Sequence, residues 1–287
     1  MNQAPLAIFL SPHLDDIPLS CGGIAARLSR QGAHCIALAI FTAPATPDVP
    51  LSPFAHLLHS QWESAAGESD ANNASRINEV RREEERQALR LLGLEPVWLD
   101  LLDAVYRRGT AGEYFYASRE ALMEKANVAA EERCLLAPSI AREIERVAKE
   151  TGARGKVRVF APLGVGRHVD HQVAFLATRR LGPRYGVLYY EDYPYAGKEG
   201  ALQARLEELS STLDLPIRSR LTSIADLIGV KIASIARYKS QLNNLFGSAE
   251  EMPSAVRGYA QSVAGTSSGL EYAERYWYIP PAYRIGT

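Results

Sequence analysis

The chain has 287 residues, of which 47% are hydrophobic, so it can bury the core of one large domain or two small ones. Its 32 basic and 33 acidic residues balance, which gives no reason to expect nucleic acid or an anionic membrane as a partner. No apolar stretch approaches the roughly 20 residues that cross a bilayer, and residues 1–5 lack the basic and apolar parts of a signal peptide, so we expect a soluble cytoplasmic protein without membrane insertion.

Strand and helix patterns alternate over the first two-thirds of the chain, which predicts a mostly parallel sheet covered by helices. The expected strands are apolar runs of strand length at residues 6–10, 35–41, 97–103, 157–161 and 187–190. The expected helices open at Gly22 and stop near Gly32, run from Ile77 to Leu92, begin at Pro138, and run from Gln172 to Leu181. These elements indicate an α/β fold.

Two stretches interrupt the alternation. Residues 44–53 contain prolines at 44, 47, 50 and 53, a spacing that breaks regular structure. We predict a long loop there, at the same edge of the sheet as His13, and long loops in compact domains are often functional. Residues 104–135 show no clear period and are interpreted as an insertion.

The last hundred residues have a less regular pattern, with one helix expected over residues 227–242 and a tail rich in tyrosine. No repeat or clean linker separates this part from the rest. We therefore expect a single domain over residues 1–287, with a core at about residues 1–200 and a helical or irregular C-terminal extension at about residues 201–287.

Cysteine usage restricts the kind of metal site that the chain can form. The three cysteines, Cys21, Cys35 and Cys134, cannot all pair and form no CxxC motif. A disulfide framework or a zinc site built on thiolates is therefore not expected. Any metal ion would be held by histidine and carboxylate.

Two polar strings follow the first and the fourth expected strands. They are residues 11–16, Ser-Pro-His-Leu-Asp-Asp, and residues 166–171, Gly-Arg-His-Val-Asp-His. Open α/β sheets place ligands and catalytic groups at the carboxyl ends of their strands. If the two strands are neighbours, three histidines and three aspartates meet at one site. Half of the six histidines of the chain lie in these strings.

The first string and His171 carry the residue types of a hydrolytic zinc site. Such a site takes three protein ligands and keeps one position for water, and His13, Asp16 and His171 form a set of that type. Zinc lowers the pKa of this water to about 7. Asp15, free of the metal, could then act as its general base.

The second string adds groups for the later part of such a reaction. A protonated His168 could stabilise the oxyanion of a tetrahedral intermediate or protonate the leaving amine. Asp170 would hold that imidazole in one tautomer and raise its pKa. Together the two strings predict metal-assisted hydrolysis of an amide or ester.

More ordinary interpretations exist for each motif alone. An Asp-Asp pair in a loop is usually a turn or a helix cap, and two histidines three residues apart are more often surface or core residues than ligands. His56 and His59 have the same spacing, and we interpret them as part of an ordinary helix because no buried strand precedes them. The joint placement of the other two strings after apolar strands distinguishes them.

The residues at 12–16, 21–23 and 168–171 together resemble the LmbE-like, or PIG-L, family of N-deacetylases. The resemblance extends over nearly the whole chain through Arg81, Glu84, Ala88, Leu92, Gly93, Asp103, Lys231, Tyr238, Ser240, Gln241, Ala273 and Glu274. Leu14 and Ile17 depart from the proline and glutamate usual in the family. In this respect the sequence resembles a His-Leu-Asp-Asp branch of the family, which includes enzymes that tailor glycosylated natural products. Without a glutamate at 17, metal affinity or substrate choice would differ.

The resemblance implies a Rossmann-like fold, a zinc ion and removal of acetyl from N-acetylglucosamine-type groups on larger conjugates. By position, it implies metal ligands at His13, Asp16 and His171, a general base at Asp15, and an electrophilic or acid partner at His168 supported by Asp170. A small-molecule glycoconjugate is then the expected partner.

Several alternatives stay open at this point. The same machinery would serve a zinc amidase on a non-sugar amide, and a non-catalytic sugar-binding protein would keep the fold without needing Asp15 or His168. A dinucleotide enzyme is disfavoured because no G-x-G-x-x-G follows the first strand. Iron fits the donor set as well as zinc. Arg81 could bind substrate or pair with Glu84 or Glu85, and residues 189–192 could line the sugar pocket or pack under a loop. A homo-oligomer is an open prediction.

Overall fold

The computed structural model of the chain describes residues 4–46, 49–66, 74–124, 128–153, 155–213 and 216–280. Residues 1–3, which enter the expectation of a cytoplasmic protein, and Pro47 of the predicted loop lie outside the described residues. Within the described part, no helix combines the length and the apolar character needed to span a membrane.

One sheet runs through the described structure. Its strands are β1 (Leu6–Ser11), β2 (His34–Ala39), β3 (Glu95–Trp98), β4 (Val157–Pro162), β5 (Tyr185–Tyr190), β6 (Arg218–Ser223) and β7 (Ala273–Tyr278). Their order is β3-β2-β1-β4-β5-β7-β6. Strands β1 to β5 are parallel, whereas β7 is antiparallel to both of its neighbours. The predicted α/β fold with a mostly parallel sheet is confirmed, and each predicted strand overlaps an observed one.

Helices cover the sheet. They are α1 (Asp16–Arg30), α2 (Pro53–Ala66), α3 (Ala74–Leu92), α4 (Ala137–Glu150), α5 (Val169–Thr178), α6 (Ala201–Leu213), α7 (Ile228–Ile235), α8 (Lys239–Phe246) and α9 (Met252–Ala264). Single turns of 3₁₀ or π helix lie at Ala104–Tyr106, Glu120–Glu124, Glu132–Leu136 and Tyr195–Gly197. The described part of the predicted insertion at residues 104–135 therefore contains short helical turns between β3 and α4.

Both faces of the sheet are buried, which explains the uninterrupted apolar runs of its central strands. In β1, Leu6, Ile8 and Leu10 pack with α4 and α5 on one face. Ala7 and Phe9 pack with α1 and α3 on the other. Burial on both faces is typical of a parallel sheet flanked by helices, and it fixes the point at which β1 ends and its polar loop begins.

Helix α1 begins at Asp16, earlier than predicted, and is broken at Cys21 (φ −140°, ψ 24°). After the break, the backbone N–H groups of Gly23 and Ile24 donate to the carboxylate of Glu274 on β7 at 2.9 and 2.7 Å. A carboxylate there satisfies donors that have no partner within the helix. The glycine pair predicted to open a helix thus opens its second half, while the first half begins at the sheet edge.

Residues 201–287 differ from the predicted helical or irregular extension because they add β6 and β7 to the sheet. Non-local antiparallel pairing of this kind is not visible in the pattern of one segment. The helix predicted over residues 227–242 is two helices, since Tyr238 leaves the helical conformation (φ −83°, ψ 57°). The shared sheet favours the single domain, which stays a prediction.

Glu85 of α3 is a buried carboxyl group beneath the loop after β1. It accepts hydrogen bonds from the Tyr238 hydroxyl at 2.5 Å and from the backbone N–H of Asp15. Burial raises the pKa of Glu85 from 4.5 to about 8, despite the opposing effect of these bonds. The folded protein therefore binds this proton more tightly than the unfolded chain does. The resulting stability is full below pH 4.5 and is lost as the pH rises through about 8.

We predict that Glu85→Gln flattens the dependence of the unfolding free energy on pH between 4.5 and 8. The amide resembles the neutral carboxyl group, so the variant avoids a loss on the order of 1.4 kcal/mol per pH unit. Urea unfolding at several pH values measures the difference. Glu83→Gln, on the exposed side of the same helix, is the control and should follow wild type. A Glu85→Gln profile parallel to wild type would contradict the prediction.

Candidate active site

The two polar strings lie side by side at the carboxyl edge of the sheet. Strands β1 and β4 are parallel neighbours, with Phe9 opposite Phe160, so the loops that leave them open on one edge. One ligating atom from each of His13, Asp16 and His171 lies within 4.8 Å of the others. The three residues predicted as metal ligands are therefore brought together.

A tight loop turns His13 and Asp16 toward each other. The backbone N–H of His13 donates to Asp16 Oδ2 at 2.7 Å. Asp15, between them, has a φ of 109°. A positive φ is uncommon for a residue with a Cβ, although aspartate and asparagine adopt it more readily than most. Strained backbone of this kind is concentrated at functional sites.

Each of the two histidines has one nitrogen occupied by a buried carboxylate. His171 Nδ1 donates to Asp192 Oδ1 at 2.6 Å, and His13 Nε2 donates to Asp170 Oδ2 at 2.9 Å. Their other nitrogens face the carboxylate of Asp16, at 3.6 Å from His171 Nε2 and 3.7 Å from His13 Nδ1. When such a ring is neutral, the nitrogen that does not carry the proton keeps a lone pair, and in both histidines this is the nitrogen nearer to Asp16.

This donor set fits a divalent ion. Zinc lies about 2.0–2.2 Å from nitrogen and oxygen ligands, so two ligands of one tetrahedral ion are roughly 3.3–3.6 Å apart. The separations to Asp16 are close to that spacing and too long for hydrogen bonds. Burial lowers the pKa of His13, but its bond to Asp170 and the nearby carboxylates outweigh burial and raise it to about 9. The surroundings thus favour a positive charge at this point.

Asp15 lies beside the predicted ligands and faces the same cavity. Its Oδ2 atom is 3.9 Å from Nη2 of Arg81. Burial, followed by the charge of Asp16, raises the pKa of Asp15 to about 7. A carboxyl group with such a pKa can exchange a proton near neutrality, which is compatible with the predicted role of a general base.

His168 is the N-cap of α5, and its ring is held through its backbone neighbour. Nδ1 accepts a hydrogen bond from the backbone N–H of Asp170 at 3.2 Å, which leaves the proton of the neutral ring on Nε2. Burial and the charge of His13 lower the pKa of His168 well below its usual value, although the charge of Asp170 acts to raise it. The expectation that Asp170 raises this pKa overall is therefore wrong.

The carboxylate of Asp170 has other partners. Besides His13, it accepts from the backbone N–H of Ala104 at 3.2 Å and from Arg107 Nη1 at 2.5 Å. Although burial acts to raise the pKa of Asp170, the Arg107 guanidinium holds it well below its ordinary value. Arg107 also donates to Glu132 at 2.5 Å. Sequence patterns identify neither Arg107 nor Glu132 as part of the site, because the segment that carries them has no regular pattern.

A cavity of about 420 Å³ opens above these residues. His13, Asp15, Asp16 and His168 are among the polar residues that line it. Its apolar wall comprises Phe54, Leu57, Leu58, Leu122, Met123 and Leu245. The proline-rich loop predicted at this edge leads into α2, which supplies the first three of these residues.

Arg81 and Asp103 also line the cavity. Arg81 Nη2 lies 3.4 Å from the carbonyl oxygen of Leu14. Glu84, one partner considered for it, accepts instead from the N–H and hydroxyl of Ser240 at 2.9 and 2.6 Å. Arg81 is therefore directed toward the site and not toward its own helix, and Asp103 lies 3.5 Å from His13 Nε2.

Residues 189–192 serve the framework more than the cavity. The Tyr190 hydroxyl donates to the carbonyl of Leu10 at 2.8 Å, and Glu191 accepts from Tyr259, Arg275 and Trp277. Asp192 accepts from the N–H groups of residues 164 and 165, both at 2.9 Å, and from His171. Its position after β5, next to β4, is a signal that could have identified it as a partner of the site.

His56 and His59 lie in α2, as predicted. His59 Nε2 is 2.6 Å from the Tyr106 hydroxyl, and His59 lines a smaller cavity that it shares with His13. The helix therefore brings one of these histidines near the site, although no strand precedes it.

Known proteins give matches over most of the chain. The family described as PIG-L, GlcNAc-PI de-N-acetylase, matches residues 8–181, more than half of the chain. The 2'-N-acetylparomamine deacetylase of Niallia circulans is 29% identical, with 96% of this chain and 92% of that protein covered. The enzyme of the same name from Streptomyces fradiae is also 29% identical, with 96% and 90% covered.

A solved structure agrees with these sequence matches. The zinc-inhibited form of teicoplanin deacetylase Orf2 is 25% identical and superposes with a TM-score of 0.73, covering 96% of this chain and 97% of that one. The fold and the order of the elements are therefore shared over nearly the full length of both chains.

The strain at Asp15 leads to a prediction about stability. In metal-free protein, Asp15→Gly should be more stable than Asp15→Ala by about 1–2 kcal/mol, because glycine adopts a positive φ without a Cβ clash. Both variants remove the carboxylate, so their difference isolates the backbone. Thermal unfolding in the presence of a chelator measures it. Equal stability of the two variants would show that the conformation at residue 15 is not strained.

Proposed function

The chain belongs to the PIG-L family of GlcNAc-PI de-N-acetylases, and we propose that it is a metal-dependent hydrolase that removes the N-acetyl group from an N-acetylglucosamine-type sugar in a small conjugate. Relatives named as deacetylases of 2'-N-acetylparomamine and of teicoplanin support this reaction. The observation that carries the proposal is the meeting of His13, Asp16 and His171 beside a cavity that Asp15 and His168 also line.

We propose His13, Asp16 and His171 as the metal ligands, because two imidazole lone pairs and one carboxylate face a common point. Zinc is the expected ion, and iron suits the same donors. When bound, the ion would act as a Lewis acid toward the acetyl carbonyl and lower the pKa of water.

Asp15 is proposed as the general base. Its carboxylate takes a proton from water as the water oxygen attacks the acetyl carbon. It returns this proton to the sugar nitrogen as the carbon–nitrogen bond breaks, which leaves a free amine and acetic acid, and the acetic acid ionises to acetate by giving its proton to solvent. The guanidinium of Arg81, 3.9 Å away, limits the directions in which the carboxylate can turn.

His168 is proposed as a neutral hydrogen-bond donor. Its Nδ1 atom is occupied by the backbone N–H of Asp170, so Nε2–H is the group that can donate. A fixed donor directed at the acetyl oxygen stabilises the negative charge that develops there during attack. Asp170 supports this role through its backbone and acts on the metal side through His13.

The cavity supports a conjugate over a free sugar. Its lining contains the reacting groups together with an apolar wall of leucine, phenylalanine and methionine side chains. Apolar walls with a few polar groups at one end are typical of small-molecule sites. We therefore propose that the group attached to the sugar makes apolar contacts with this wall. A cytoplasmic location and self-association stay predictions from the sequence.

Two alternatives are weighed against this function. A zinc amidase for a non-sugar amide would use the same residues, and only its substrate would differ. A sugar-binding protein without turnover is disfavoured by Asp15, because a carboxyl group buried next to Asp16 is costly and binding alone does not require a general base.

We predict that zinc-loaded protein releases acetate from N-acetylglucosaminyl conjugates and that Asp15→Ala loses about 10²–10⁴-fold in kcat, as expected for loss of a general base. Chelated protein should lose activity and regain it with zinc or iron. Asp226→Ala, which removes an exposed carboxylate paired with Arg27, is the matched control and should retain activity. Metal content is measured in parallel for every variant.

Two results would overturn the proposed function. No release from any conjugate despite one bound ion per chain would favour the non-sugar amidase. No release and no bound ion would favour the binding protein.

A second prediction concerns the apolar wall. An aryl N-acetylglucosaminide should have a higher kcat/KM than the methyl glycoside, because its ring can contact the wall. Leu57→Asp, at a side chain that is 54% exposed beside the cavity, should reduce this preference about 5- to 10-fold, as expected from the loss of roughly 1–1.4 kcal/mol of apolar contact. Leu91→Asp, at an exposed position on α3, should leave the preference unchanged. An unchanged ratio in Leu57→Asp would exclude that leucine from the subsite.

A further inference from the structure

A buried ion-pair chain connects the predicted metal site to the irregular segment at residues 104–136. Arg107 lies at its centre and is 9% exposed. One side of its guanidinium donates from Nη1 to Asp170 Oδ1 at 2.5 Å, and the other side donates from Nε to Glu132 Oε1 at 2.5 Å. Nη1 also donates to the carbonyl of Leu102 at 3.0 Å.

The surroundings hold this guanidinium in one orientation. It lies 4.9 Å from the centre of the Phe41 ring and 5.6 Å from that of the Tyr116 ring. The Tyr116 hydroxyl donates to Glu132 Oε2 at 2.7 Å, which fixes the far end of the chain. Glu132 is 4% exposed. The buried guanidinium therefore lies between two buried carboxylates, and its removal would leave both of them without this cationic partner.

The Asp170 end of the ion-pair chain acts on His13. An ionised carboxylate only accepts hydrogen bonds, so an anionic Asp170 requires the proton of a neutral His13 ring to be on Nε2. Nδ1, which lies 3.7 Å from Asp16, then presents its lone pair.

We propose that Arg107 and Glu132 are positioning residues for His13, because the ion-pair chain holds the carboxylate of Asp170 against His13 Nε2 and thereby turns His13 Nδ1 toward the metal site. The inference rests on the proposed function, in which His13 is a ligand. Arginine suits the role because its guanidinium stays charged and forms bonds on two sides in a fixed plane.

The other histidine has a different support. Asp192, the partner of His171, is held by the backbone N–H groups of residues 164 and 165 and has no arginine or lysine partner among the described contacts. Damage to the Arg107 chain should therefore affect one ligand and leave the other in place. The expected consequence is weaker metal binding and not complete loss of the site.

The test is the dissociation constant for zinc, measured by competition with a chelator of known affinity. Arg107→Met should weaken zinc binding about 10- to 100-fold, the usual effect of losing a partner behind a ligand. Arg107→Lys, which keeps the charge but not the two-sided geometry, should give an intermediate loss. Glu132→Gln, which keeps size and an acceptor oxygen, tests the far end and should weaken binding several-fold.

Arg108 provides a matched control. It is the next residue, and it contacts the carbonyl of Pro50 at 3.0 Å and the Tyr114 hydroxyl, with no bond to Asp170 among the described contacts. Arg108→Met should keep the wild-type zinc constant. The unfolding midpoint temperature of each metal-free variant is measured separately. If Arg107 had a purely structural role, its substitution would lower this midpoint without changing zinc affinity.

The failures of the two proposals are distinguishable. Wild-type protein that binds no divalent ion would overturn the proposed metal site and this inference with it. Wild-type protein that binds zinc, together with folded Arg107→Lys and Glu132→Gln variants of wild-type affinity, would overturn this inference alone. If Arg107→Met does not fold, the lysine and glutamine variants still decide.

Discussion

Parallel pairing of β1 with β4 is the constraint on which the site depends. Each strand is buried on both faces, so its register is fixed by packing, and each delivers a polar loop at the same edge. The loops are distant in sequence, yet their contact places Asp16 between two imidazole rings. A slip of one residue in β1 would exchange its core faces and turn His13 away, so the same burial that stabilises the sheet also sets the geometry of the ligands.

Gathering several carboxylates below the surface is costly unless each has a partner. Asp170 and Asp192 are satisfied, one by a guanidinium and the other by backbone N–H groups. Asp16 has only the N–H of His13 as a hydrogen-bond partner among the described contacts, with two ring nitrogens facing it. The carboxylate of Asp16 therefore lies between the two imidazole rings without a cationic partner among the described hydrogen bonds. This is the arrangement expected of a site that a cation completes.

The sequence was sufficient for the parts that depend on local pattern. Apolar strands, the two polar strings and their common edge all follow from periodicity and from the rule for open α/β sheets. Arg107 and Glu132 could not be found, because their segment folds as single turns around a buried ion pair and has no period. The pKa of His168 was misjudged for a similar reason, since burial depends on tertiary packing and outweighs the charge of Asp170.

The C-terminal part, which patterns suggested was an extension, is a structural requirement of the loop after β1. The two halves of α1 meet at Cys21, and the second half is held by Glu274, which also accepts from Lys231 at 2.6 Å. Below the strained residue Asp15, Glu85 is bonded to the hydroxyl of Tyr238. Backbone strain persists only where its surroundings fix it, and here the fixing groups come from α3, α7 and the segment before α8. The loop that carries three of the proposed active residues therefore depends on side chains from beyond residue 200, and a fragment that ends with β5 would lack the contacts of Tyr238 with Glu85 and of Glu274 with α1.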